Sequence, residues 1–584
     1  MLRVTAVDRS DRLRCPHAER CGGCTLSELD YGGQLAHKAE SVRRAFAGYE
    51  VLAARPVDPV TPAPSMLHYR VRDKLVVEGG KVGLFARGSH EVIDIPECQL
   101  ASATVGRVVA AVRRRLPFDF PVFGIDVREV DAGALLTLIV SERVDEAHVL
   151  VIARELCRDE PTISGVSLSR RAEQSPRLLG AAPKTILGTD LAPHRLAPAS
   201  PYQLARAGSF VQAHPAQASA LYAGVERALA ARLPGGLRGK RVLELFAGSG
   251  ALALRLSSLG ATVTAVDSHA PGIEALARAA REQGLPLATR AERAENSVIS
   301  GSEPWDAVVV DPPRRGLLPE LRRAIARAAP RVLVYVSCEP RTLARDLSHF
   351  AELGYGASSL VPFDLLPLSD SVEMLCVLER GDTPAPRLLH EDERLLAVDA
   401  PAFADSLLGR VRRLPGAAGA VPLDRDAPSG VCLFARREPL GNALAQDASA
   451  EYTVLVRGIT RKRGRLRGAD YVRTRVVGTH SLLAVSASLG RAGGGSERHG
   501  SFRRESWTRD LARIGHPLLG EARHGDPKSN RHFLERHGLD RAFCHLRELV
   551  LSEPSVRLSS PLAPDLAAVL ESLGERDEPL SRPD

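Results

Sequence analysis

Two short apolar runs within residues 305–346 constrain the fold of this chain more than any other feature. The runs, AVVV and VLVYV, are too short for helices and rich in β-branched residues, a pattern typical of buried parallel strands. Each run ends in a polar loop, DPPRRG at residues 311–316 and SCEPRT at residues 337–342. Because ligands bind beyond the carboxyl ends of such strands, we expect an open α/β sheet in which Asp311 and Cys338 share one pocket.

Cys338 is a candidate nucleophile. A free cysteine is usually a small buried hydrophobe, but this one follows a strand and lies among polar residues. Arg341 and Arg345 are close in sequence, and cationic neighbours favour the thiolate by lowering a thiol pKa that starts near ~8.5. On the residues alone, a nucleophile and a structural cysteine are equally well supported.

The composition is that of a cytoplasmic globular protein. At 584 residues the chain has the length of roughly three or four domains, and no apolar run approaches the roughly 18 residues that span a membrane. The first residues contain no apolar core of a secretory signal. The net charge of +8 permits binding to nucleic acid. Nine cysteines in such a chain are not expected to form a disulfide framework.

Three closely spaced cysteines predict a metal or cluster loop near the N-terminus. Cys15, Cys21 and Cys24 lie within CPHAERCGGC, where glycines allow thiolates to converge. A zinc ion would need a fourth ligand nearby, and His17 is the local candidate. An iron–sulfur cluster is usually held by four cysteines, of which one can be remote, and Cys98 supplies it. The spacing leaves both groups open.

A glycine-rich turn predicts a nucleotide-type pocket in the middle of the chain. Runs such as VRDKLVV, KVGLFAR, ALLTLIVS and TISGVSLS read as strands before it, and residues 215–233 read as a helix. The segment KRVLELFAGSGALALRLSSLGATVTAVDSH then reads as strand, turn, helix and strand, with Gly248 and Gly250 in the turn. Asp267, which ends the second strand, can bind a ribose hydroxyl. ELFAGSG has the form seen in S-adenosylmethionine-dependent methyltransferases.

Glu373 stands directly before the apolar run MLCVL, so we expect its carboxylate at the mouth of a late strand. A solvated loop glutamate is the alternative. Cys376, within the run, is expected in the core.

Residues 1–382 resemble the RNA uracil-C5 methyltransferases, in the iron–sulfur branch that acts on 23S ribosomal RNA. The resemblance extends over this whole length and rests on CPHAERCGGC, YGGQLAHK, HYRVRDKLVV, PECQ, SFVQAHP, ELFAGSG, DPPRRG, SCEPRTLARDL and LPLSDSVE. It implies an iron–sulfur and β-rich RNA-binding domain at residues 1–195 and a Rossmann-like methyltransferase domain at residues 196–382.

The resemblance also implies roles for individual residues. The thiolate of Cys338 would add to C6 of uracil, Glu373 would remove the C5 proton, and Asp311 would hold the uracil edge. The residues that match positions contacting S-adenosylmethionine are Gln212, Phe246, Gly248, Gly250, Asp267 and Asp311. Those that match the ligands of a 4Fe–4S cluster are Cys15, Cys21, Cys24 and Cys98.

Three departures from the family pattern are evident. Glu339 stands where the family often has Asn after the catalytic cysteine, and Ser371 stands where a His is common. Neither change removes a reacting group, so we expect activity. We also expect the chain to lack the N-terminal β-barrel RNA-binding domain that many relatives carry.

Residues 383–584 resemble a second RNA enzyme family, the pseudouridine synthases of the large ribosomal and tRNA type. The resemblance implies an α+β domain and rests on LLHEDERLLAVDAP, LFARREPLGNALAQ, EYTVLVRG and IGHPLLGEARHGDPKSNRHFLERHGLDRAFCHLRELVL. Asp424 is at the nucleophile position and Tyr452 matches the active-site tyrosine. However, Pro422 replaces an Arg, residues 400–403 (APAF) replace a Lys-Pro-x-Gly loop, and residues 505–508 (ESWT) replace a His-Gln-Ile-Arg segment.

These losses predict an inactive synthase fold that still binds RNA. Residues 457–475 contain eight basic residues and one acid, which on such a fold indicates phosphate contacts. A bifunctional enzyme that also isomerises uridine through Asp424 is one alternative. A purely RNA-binding factor is another, and the intact set of Cys338, Glu373 and Asp311 argues against it. We expect a monomer that acts on ribosomal RNA, with tRNA as the other possible substrate.

Overall fold

The computed structural model of the chain describes residues 11–116, 121–172, 175, 178–180, 182–300, 304–403, 405–422, 429–436, 448–489, 504–552 and 555–574. No helix in these ranges is long and apolar enough to cross a membrane.

The first third of the chain forms a mixed sheet covered by two helices. Its elements in chain order are α1 (Tyr31–Ala47), α2 (Glu50–Ala53), β1 (Arg72–Glu78), β2 (Lys81–Phe85), β3 (Val92–Asp94), α3 (Ala103–Arg115), β4 (Val122–Val130), β5 (Gly133–Ser141), α4 (Glu146–Asp159), β6 (Ile163–Arg171) and β7 (Lys184–Gly188). Within the described residues the strand order is β3-β2-β1-β4-β5-β6-β7. The four strand-like runs of the sequence are β1, β2, β5 and β6, as predicted.

The middle of the chain forms a doubly wound sheet. After the hairpin of β8 (Leu191–His194) and β9 (Gln203–Arg206), its elements are α5 (Pro215–Arg232), β10 (Arg241–Leu245), α6 (Ala251–Ser258), β11 (Thr262–Asp267), α7 (Ala270–Glu282), β12 (Leu287–Ala291), α8 (Ala294–Ser300), β13 (Ala307–Val310), α9 (Pro319–Ala328), β14 (Val332–Ser337), α10 (Pro340–Glu352), β15 (Tyr355–Phe363) and β16 (Glu373–Arg380). The order over the described residues is β12-β11-β10-β13-β14-β16-β15. The runs AVVV and VLVYV are the parallel neighbours β13 and β14, as predicted.

The alternation of side chains along these strands builds a core on each face of the sheet. Helices α5, α6 and α7 cover one face, where Val242 and Val309 are buried. Helices α1, α9 and α10 cover the other, where Leu243 and Val308 are buried. The sheet is parallel up to β14, and β16 then pairs antiparallel with both β14 and β15. The resulting architecture is the Rossmann-like α/β sheet that the sequence predicts.

The last third of the chain is built on a larger, mostly antiparallel sheet. Its elements are β17 (Arg387–Glu391), β18 (Leu395–Ala400), α11 (Leu407–Val411), β19 (Val421–Pro422), β20 (Gly430–Ala435), β21 (Ala448–Arg457), β22 (Arg463–Leu466), β23 (Ala469–Val477), β24 (His480–Leu489), α12 (Arg504–Arg513), α13 (Pro527–His537), β25 (Cys544–Leu551), β26 (Val556–Ser559) and α14 (Pro564–Ser572). Over the described ranges the main path is β17-β18-β20-β25-β21-β24-β23-β22, with β19 on β20 and β26 on β25.

A buried ion-pair network joins this last region to the middle sheet. Arg322 on α9 pairs with Asp346 at 2.8 Å and with Asp540 at 2.5 Å. Arg345 on α10 pairs with the same two carboxylates, at 2.7 and 3.2 Å. All four side chains are at most 4% exposed. Two positive and two negative charges therefore balance each other between α9, α10 and the segment that follows α13.

Candidate active site and cysteine cavity

Strand register brings the candidate catalytic residues to one edge of the middle sheet. Ser337, the last residue of β14, lies opposite Met374 of the antiparallel β16. One position further toward this edge, Cys338 follows Ser337 on one strand and Glu373 precedes Met374 on the other. Asp311 follows β13, the other neighbour of β14. The carboxyl ends of two parallel strands and the start of an antiparallel strand thus place one thiol and two carboxyls together.

Helix α10 holds the two polar loops against each other. The Thr342 hydroxyl donates a hydrogen bond to the Arg314 carbonyl at 2.7 Å. The backbone N–H of Leu317 donates to Asp346 Oδ2, also at 2.7 Å. Gly316 has φ +73°, and a Cβ there would come within 2.5 Å of the same carboxylate oxygen. The glycine of DPPRRG is therefore required for the close approach of this loop to α10.

Burial raises the pKa of all three candidate residues, and neighbouring carboxyl groups add to the effect at Cys338 and Glu373. Burial raises the pKa of Asp311 to about 7. Burial, followed by repulsion from Asp311, raises the pKa of Glu373 well above its ordinary value. Burial, followed by the negative charges of Glu373 and Asp311, raises the pKa of Cys338 to about 12. The positive charge of Arg314 acts in the opposite direction and lowers the pKa of both Cys338 and Glu373, so Arg314 is the cation that acts on this site.

The prediction that Arg341 and Arg345 favour the Cys338 thiolate is wrong. Arg345 is committed to the buried network with Asp346 and Asp540. Arg341 pairs with Glu339 at 3.3 Å. Since each guanidinium has a carboxylate partner, neither offsets the desolvation of the thiol.

The glycine-rich turn between β10 and α6 forms a cavity next to this site. Residues Gln212, Phe246, Gly248, Gly250 and Asp311, all expected to contact a cofactor, line it together. Gly250 has φ +77°, and a Cβ there would lie 2.2 Å from Leu276, so only glycine fits. Phe246 has φ +65°, a left-handed conformation that is uncommon outside glycine and frequent at functional sites.

Asp267 is the expected cofactor residue that lies outside this cavity. It lines an adjoining cavity, and Phe246 borders both. Its carboxylate accepts hydrogen bonds from the backbone N–H of Gly248 at 2.9 Å and of His269 at 2.7 Å. The carboxylate therefore also stabilises the turn itself.

Two further cavity residues, Glu244 and Tyr222, were missed by the sequence reasoning. Glu244 is 4% exposed, and its Oε2 has no hydrogen-bond partner in the described part of the chain. Burial, with Asp311 and Asp267, raises the pKa of Glu244 well above its ordinary value. A buried, unsatisfied carboxyl oxygen that lines a cavity is available to a ligand. The signal in the sequence was a glutamate that interrupts the apolar residues of the strand RVLEL.

The four predicted cluster cysteines line one small cavity. Cys15, Cys21, Cys24 and Cys98 share it with His17 and with apolar side chains. Burial raises the pKa of Cys24 to about 12. In the described ranges, no group of three or more His, Cys, Asp or Glu side chains is arranged to hold a metal ion.

Arg87 fixes the backbone of the cysteine loop. Its guanidinium donates to the carbonyls of Ala18, Cys21 and Cys24, at 3.1, 3.4 and 2.6 Å. Gly22 donates its N–H to the Phe85 carbonyl at 3.0 Å. Strand β2 and the residues after it therefore hold the loop in place.

The cysteine loop and α1 support the loop that carries Glu373. The N–H of Leu26 donates to the Leu368 carbonyl at 3.0 Å, and the Leu368 N–H donates to Gln34 Oε1 at 2.9 Å. Lys38 and Asp364, both fully buried, pair at 2.5 Å. The motifs YGGQLAHK and LPLSDSVE are thus one structural unit, and the chain leading into Glu373 is held at several points.

The predicted synthase remnant is only partly described, and Asp424 lies outside the described residues. Tyr452 is 2% exposed and packs on Trp507, with ring centroids 5.4 Å apart. Residues 505–508, which stand in place of the family's His-Gln-Ile-Arg segment, lie in helix α12. The helix buries Trp507 in the core of this region and leaves Arg509 exposed, paired with Glu505 at 3.2 Å.

Phe403, at the end of the APAF segment, packs against helices α9 and α10 of the middle region. The Phe403 ring stacks on His349 of α10 at 4.5 Å, and the Arg322 guanidinium lies 4.5 Å from the same ring. In contrast, the basic residues at the end of β21, on β22 and in the turns on either side of β22 are exposed, namely Arg457, Arg461, Lys462, Arg463, Arg465 and Arg467.

Comparisons with known proteins agree with this architecture. The family model described as "Conserved hypothetical protein 95" matches residues 223–357. A solved structure of a tRNA (uracil-54, C5)-methyltransferase from Pyrococcus abyssi, in complex with S-adenosyl-L-homocysteine, has a TM-score of 0.51 and 23% identity. It covers 61% of this chain and 86% of that one. The fold is therefore that of a Rossmann-like methyltransferase.

Curated relatives identify the family. An uncharacterized RNA methyltransferase of Nitratidesulfovibrio vulgaris is 31% identical over 395 residues, which cover 63% of this chain and 82% of the relative. Another, of Geobacter sulfurreducens, is 30% identical over 413 residues, covering 65% and 81%. The chain belongs to this family of RNA methyltransferases.

Proposed function

We propose that this protein methylates C5 of a uridine in RNA, with 23S ribosomal RNA as the substrate and S-adenosylmethionine as the methyl donor. One observation carries the proposal: Cys338, Glu373 and Asp311 meet at one edge of the sheet, beside the glycine-turn cavity. The four-cysteine cavity favours ribosomal RNA, since those cysteines go with the ribosomal branch of the family. The likeness to a tRNA methyltransferase keeps tRNA as the second candidate.

Cys338 acts as the nucleophile. Its sulfur adds to C6 of uracil, which moves electron density to C5 and makes that carbon able to accept a methyl group. Asp311 holds the uracil edge in either protonation state, because its carboxylate accepts from N3–H and its protonated form donates to a carbonyl. With a pKa of about 7, Asp311 populates both forms near neutral pH.

Glu373 acts as the base that completes the reaction. It removes the C5 proton, the C5–C6 double bond re-forms, the sulfur–C6 bond breaks, and one proton is released overall. The raised pKa of Glu373 makes it an effective acceptor once it is ionised. S-adenosylmethionine supplies the methyl group on a cationic sulfonium, whose charge adds to that of Arg314 in favouring the ionised forms of Cys338 and Glu373.

The glycine-turn cavity fits such a donor. The unsatisfied Oε2 of Glu244 is an acceptor for an ammonium group, and the glycine turn leaves room for backbone contact with the ligand. Asp267, at the end of β11, accepts a ribose hydroxyl through the lone pairs that its two backbone bonds leave open.

Cys15, Cys21, Cys24 and Cys98 would hold a 4Fe–4S cluster, and its role would be structural. The donor chemistry fits, because four thiols line one largely apolar cavity, but in the described ranges they are not arranged as a formed metal site, so cluster binding would have to bring them together. Their loop supports the chain that leads into Glu373. We expect iron and sulfide to bind on reconstitution, Cys98→Ser to lower the iron content, and Cys157→Ser, outside the cavity, to leave it unchanged. Zinc bound in place of iron would contradict the assignment.

Residues 383–584 form a pseudouridine-synthase-like domain that binds RNA and has lost its own catalysis. At the position of a Lys-Pro-x-Gly active-site loop, residues 400–403 end in Phe403, whose ring packs on His349 and Arg322. The exposed basic residues within 457–475 supply phosphate contacts. The proposed division at residues 1–195, 196–382 and 383–584 is supported by the three large sheets, although the hairpin of β8 and β9 spans the first boundary. A bifunctional enzyme that uses Asp424 is the competing proposal.

The test is nucleoside chromatography with mass detection on ribosomal RNA from a deletion strain and its parent. We expect loss of 5-methyluridine alone, restored by the wild-type gene and by Cys157→Ala but not by Cys338→Ala. Loss of pseudouridine as well would mean that Asp424 is active. No change in ribosomal RNA, followed by loss of 5-methyluridine in tRNA, would move the substrate to tRNA.

A further inference from the structure

A basic cleft lies between the catalytic loops and helix α13 of the last region. Arg314, Arg315 and Arg341 line it on the methyltransferase side, while Arg536 and His537 line it on the other. Arg314 is also the cation whose charge acts on Cys338 and Glu373. The cleft therefore lies beside the two catalytic loops, since Arg314 belongs to the loop after Asp311 and Glu339 follows Cys338, although part of its wall comes from the opposite end of the chain.

The contact that forms this cleft is tightly built. Gly538, the left-handed residue that ends α13, has φ +68°, and a Cβ there would lie 2.7 Å from Thr342 Cγ2. The Arg345 guanidinium donates to the Gly538 carbonyl, and Asp540 joins the buried ion-pair network. Arg536 and His537 thus precede a segment that is fixed to the helix carrying the catalytic loop.

The cleft carries unbalanced positive charge. Arg341 is paired with Glu339. In the described part of the chain, Arg314, Arg315 and Arg536 form no ion pair within 4.0 Å, and the lining carboxylate without an ion pair there is Glu535. Three guanidiniums against one carboxylate favour an anionic ligand with spread-out charge, which a phosphodiester provides.

We propose that this cleft binds the RNA backbone phosphate next to the nucleotide held at Cys338. Arg536 and His537 then form part of the substrate site of the methyltransferase, so the last region contributes at the active site as well as through its basic strand. The inference rests on the proposed RNA methylation. Enzymes that act on a base take it out of its stack, which leaves the flanking phosphates at the mouth of the pocket, where this cleft lies.

The test uses the full-length protein and two readouts. The first is binding of a fluorescently labelled, uridine-containing single-stranded RNA, measured by anisotropy over a range of salt concentrations. The second is methyl transfer to ribosomal RNA from the deletion strain. The variants are Arg536→Ala, Arg536→Lys, His537→Ala and Glu535→Gln, with Arg557→Ala as the control because it removes an exposed charge on β26, outside the cleft.

We expect Arg536→Ala to weaken RNA binding about tenfold, the loss typical of one hydrogen bond to a charged group. The slope of the logarithm of the binding constant against the logarithm of the salt concentration should become shallower by about 0.7, the value for one lost phosphate contact on a single strand. The KM for RNA should rise with kcat unchanged, and Arg536→Lys should recover part of the loss. Glu535→Gln should bind RNA more tightly, a gain that misfolding cannot produce.

An Arg536→Ala protein with the same RNA affinity, salt slope and KM as Arg557→Ala would overturn the proposal. If no RNA is methylated, the proposed function fails, yet the anisotropy series still decides whether the cleft binds RNA. The two failures are therefore distinguishable.

Discussion

Replacing Asp540 with alanine measures how strongly the last region is coupled to the methyltransferase fold. Asp540 is 1% exposed and lies 2.5 Å from Arg322 and 3.2 Å from Arg345. Its removal leaves two buried guanidiniums that share the single carboxylate of Asp346. One positive charge is then uncompensated in the interior.

The expected destabilisation follows from these distances. At an effective dielectric constant of about 20, each attraction to Asp540 is worth roughly 5–7 kcal/mol. The carboxylate gave up hydration worth several kcal/mol to enter the interior, which offsets much of this gain. We therefore expect Asp540→Ala to lower the free energy of unfolding by about 3–5 kcal/mol. Asp540→Asn keeps the shape and one acceptor, so its effect should be smaller.

The chain offers a direct assay, because its two tryptophans lie in different regions. Trp305, just before β13, reports the middle sheet, and Trp507 on α12 reports the last region; both are buried. Urea unfolding is followed in two single-tryptophan proteins. The Trp507→Phe protein keeps Trp305 and reports the middle sheet, and the Trp305→Phe protein keeps Trp507 and reports the last region. In the Asp540→Ala background both transitions should move to lower urea.

The control is Asp470→Ala, which breaks an ion pair with Arg465 at 3.4 Å whose side chains are 65% and 88% exposed. Such a pair contributes at most about 1 kcal/mol. An Asp540→Ala protein that unfolds like this control, in both tryptophan backgrounds, would refute the reasoning.

Three further predictions concern the site and its surroundings. Glu373→Gln should slow methylation about 10²–10⁴-fold, yet let a covalent Cys338–RNA complex accumulate as a slower band on a denaturing gel; full activity without that band would contradict the assigned role. The folded Asp311 carboxyl keeps its proton from its ordinary pKa of 3.8 up to about 7, so stability falls as pH rises through this window. Asp311→Asn should therefore raise the melting temperature more at about pH 8 than at about pH 5, and an equal difference at both would disprove the shift. Gly538→Ala should lower the free energy of unfolding by about 1–2 kcal/mol more than Gly574→Ala. Both glycines have positive φ, but only a Cβ at Gly538 meets a neighbouring residue, Thr342. Equal losses in the two variants would count against this tight contact.

Local patterns were sufficient to predict the strands and turns that carry the site. The β-branched runs before Asp311 and Cys338 are adjacent parallel strands, and the glycine turn with Gly248 and Gly250 lines a cavity. Glu373 begins a strand at the same edge. Each of these depends on side-chain periodicity or on the freedom of glycine, which neighbouring residues determine.

The electrostatics of the site could not be read in the same way. Arg345 stands seven residues after Cys338 in the chain, yet its charge is neutralised by Asp540, which comes from the far end of the sequence. The carboxyls that raise the Cys338 pKa most are those of Glu373, at the start of β16, and Asp311, just after β13, and the opposing cation is Arg314. Likewise, residues 505–508 are helical because Trp507 packs into the core of its region, a contact that its immediate neighbours do not specify.

The sequence by itself therefore determined where strands end, where backbone must approach a ligand, and which side chains can react. The tertiary structure decided which charges are paired and which are not. It also placed helix α13 beside the catalytic loops. The physical reason is range: periodicity and backbone freedom act over a few residues. Charge and burial depend on distances in space, and here the deciding partners are about two hundred residues apart along the chain, as with Arg345 and Asp540.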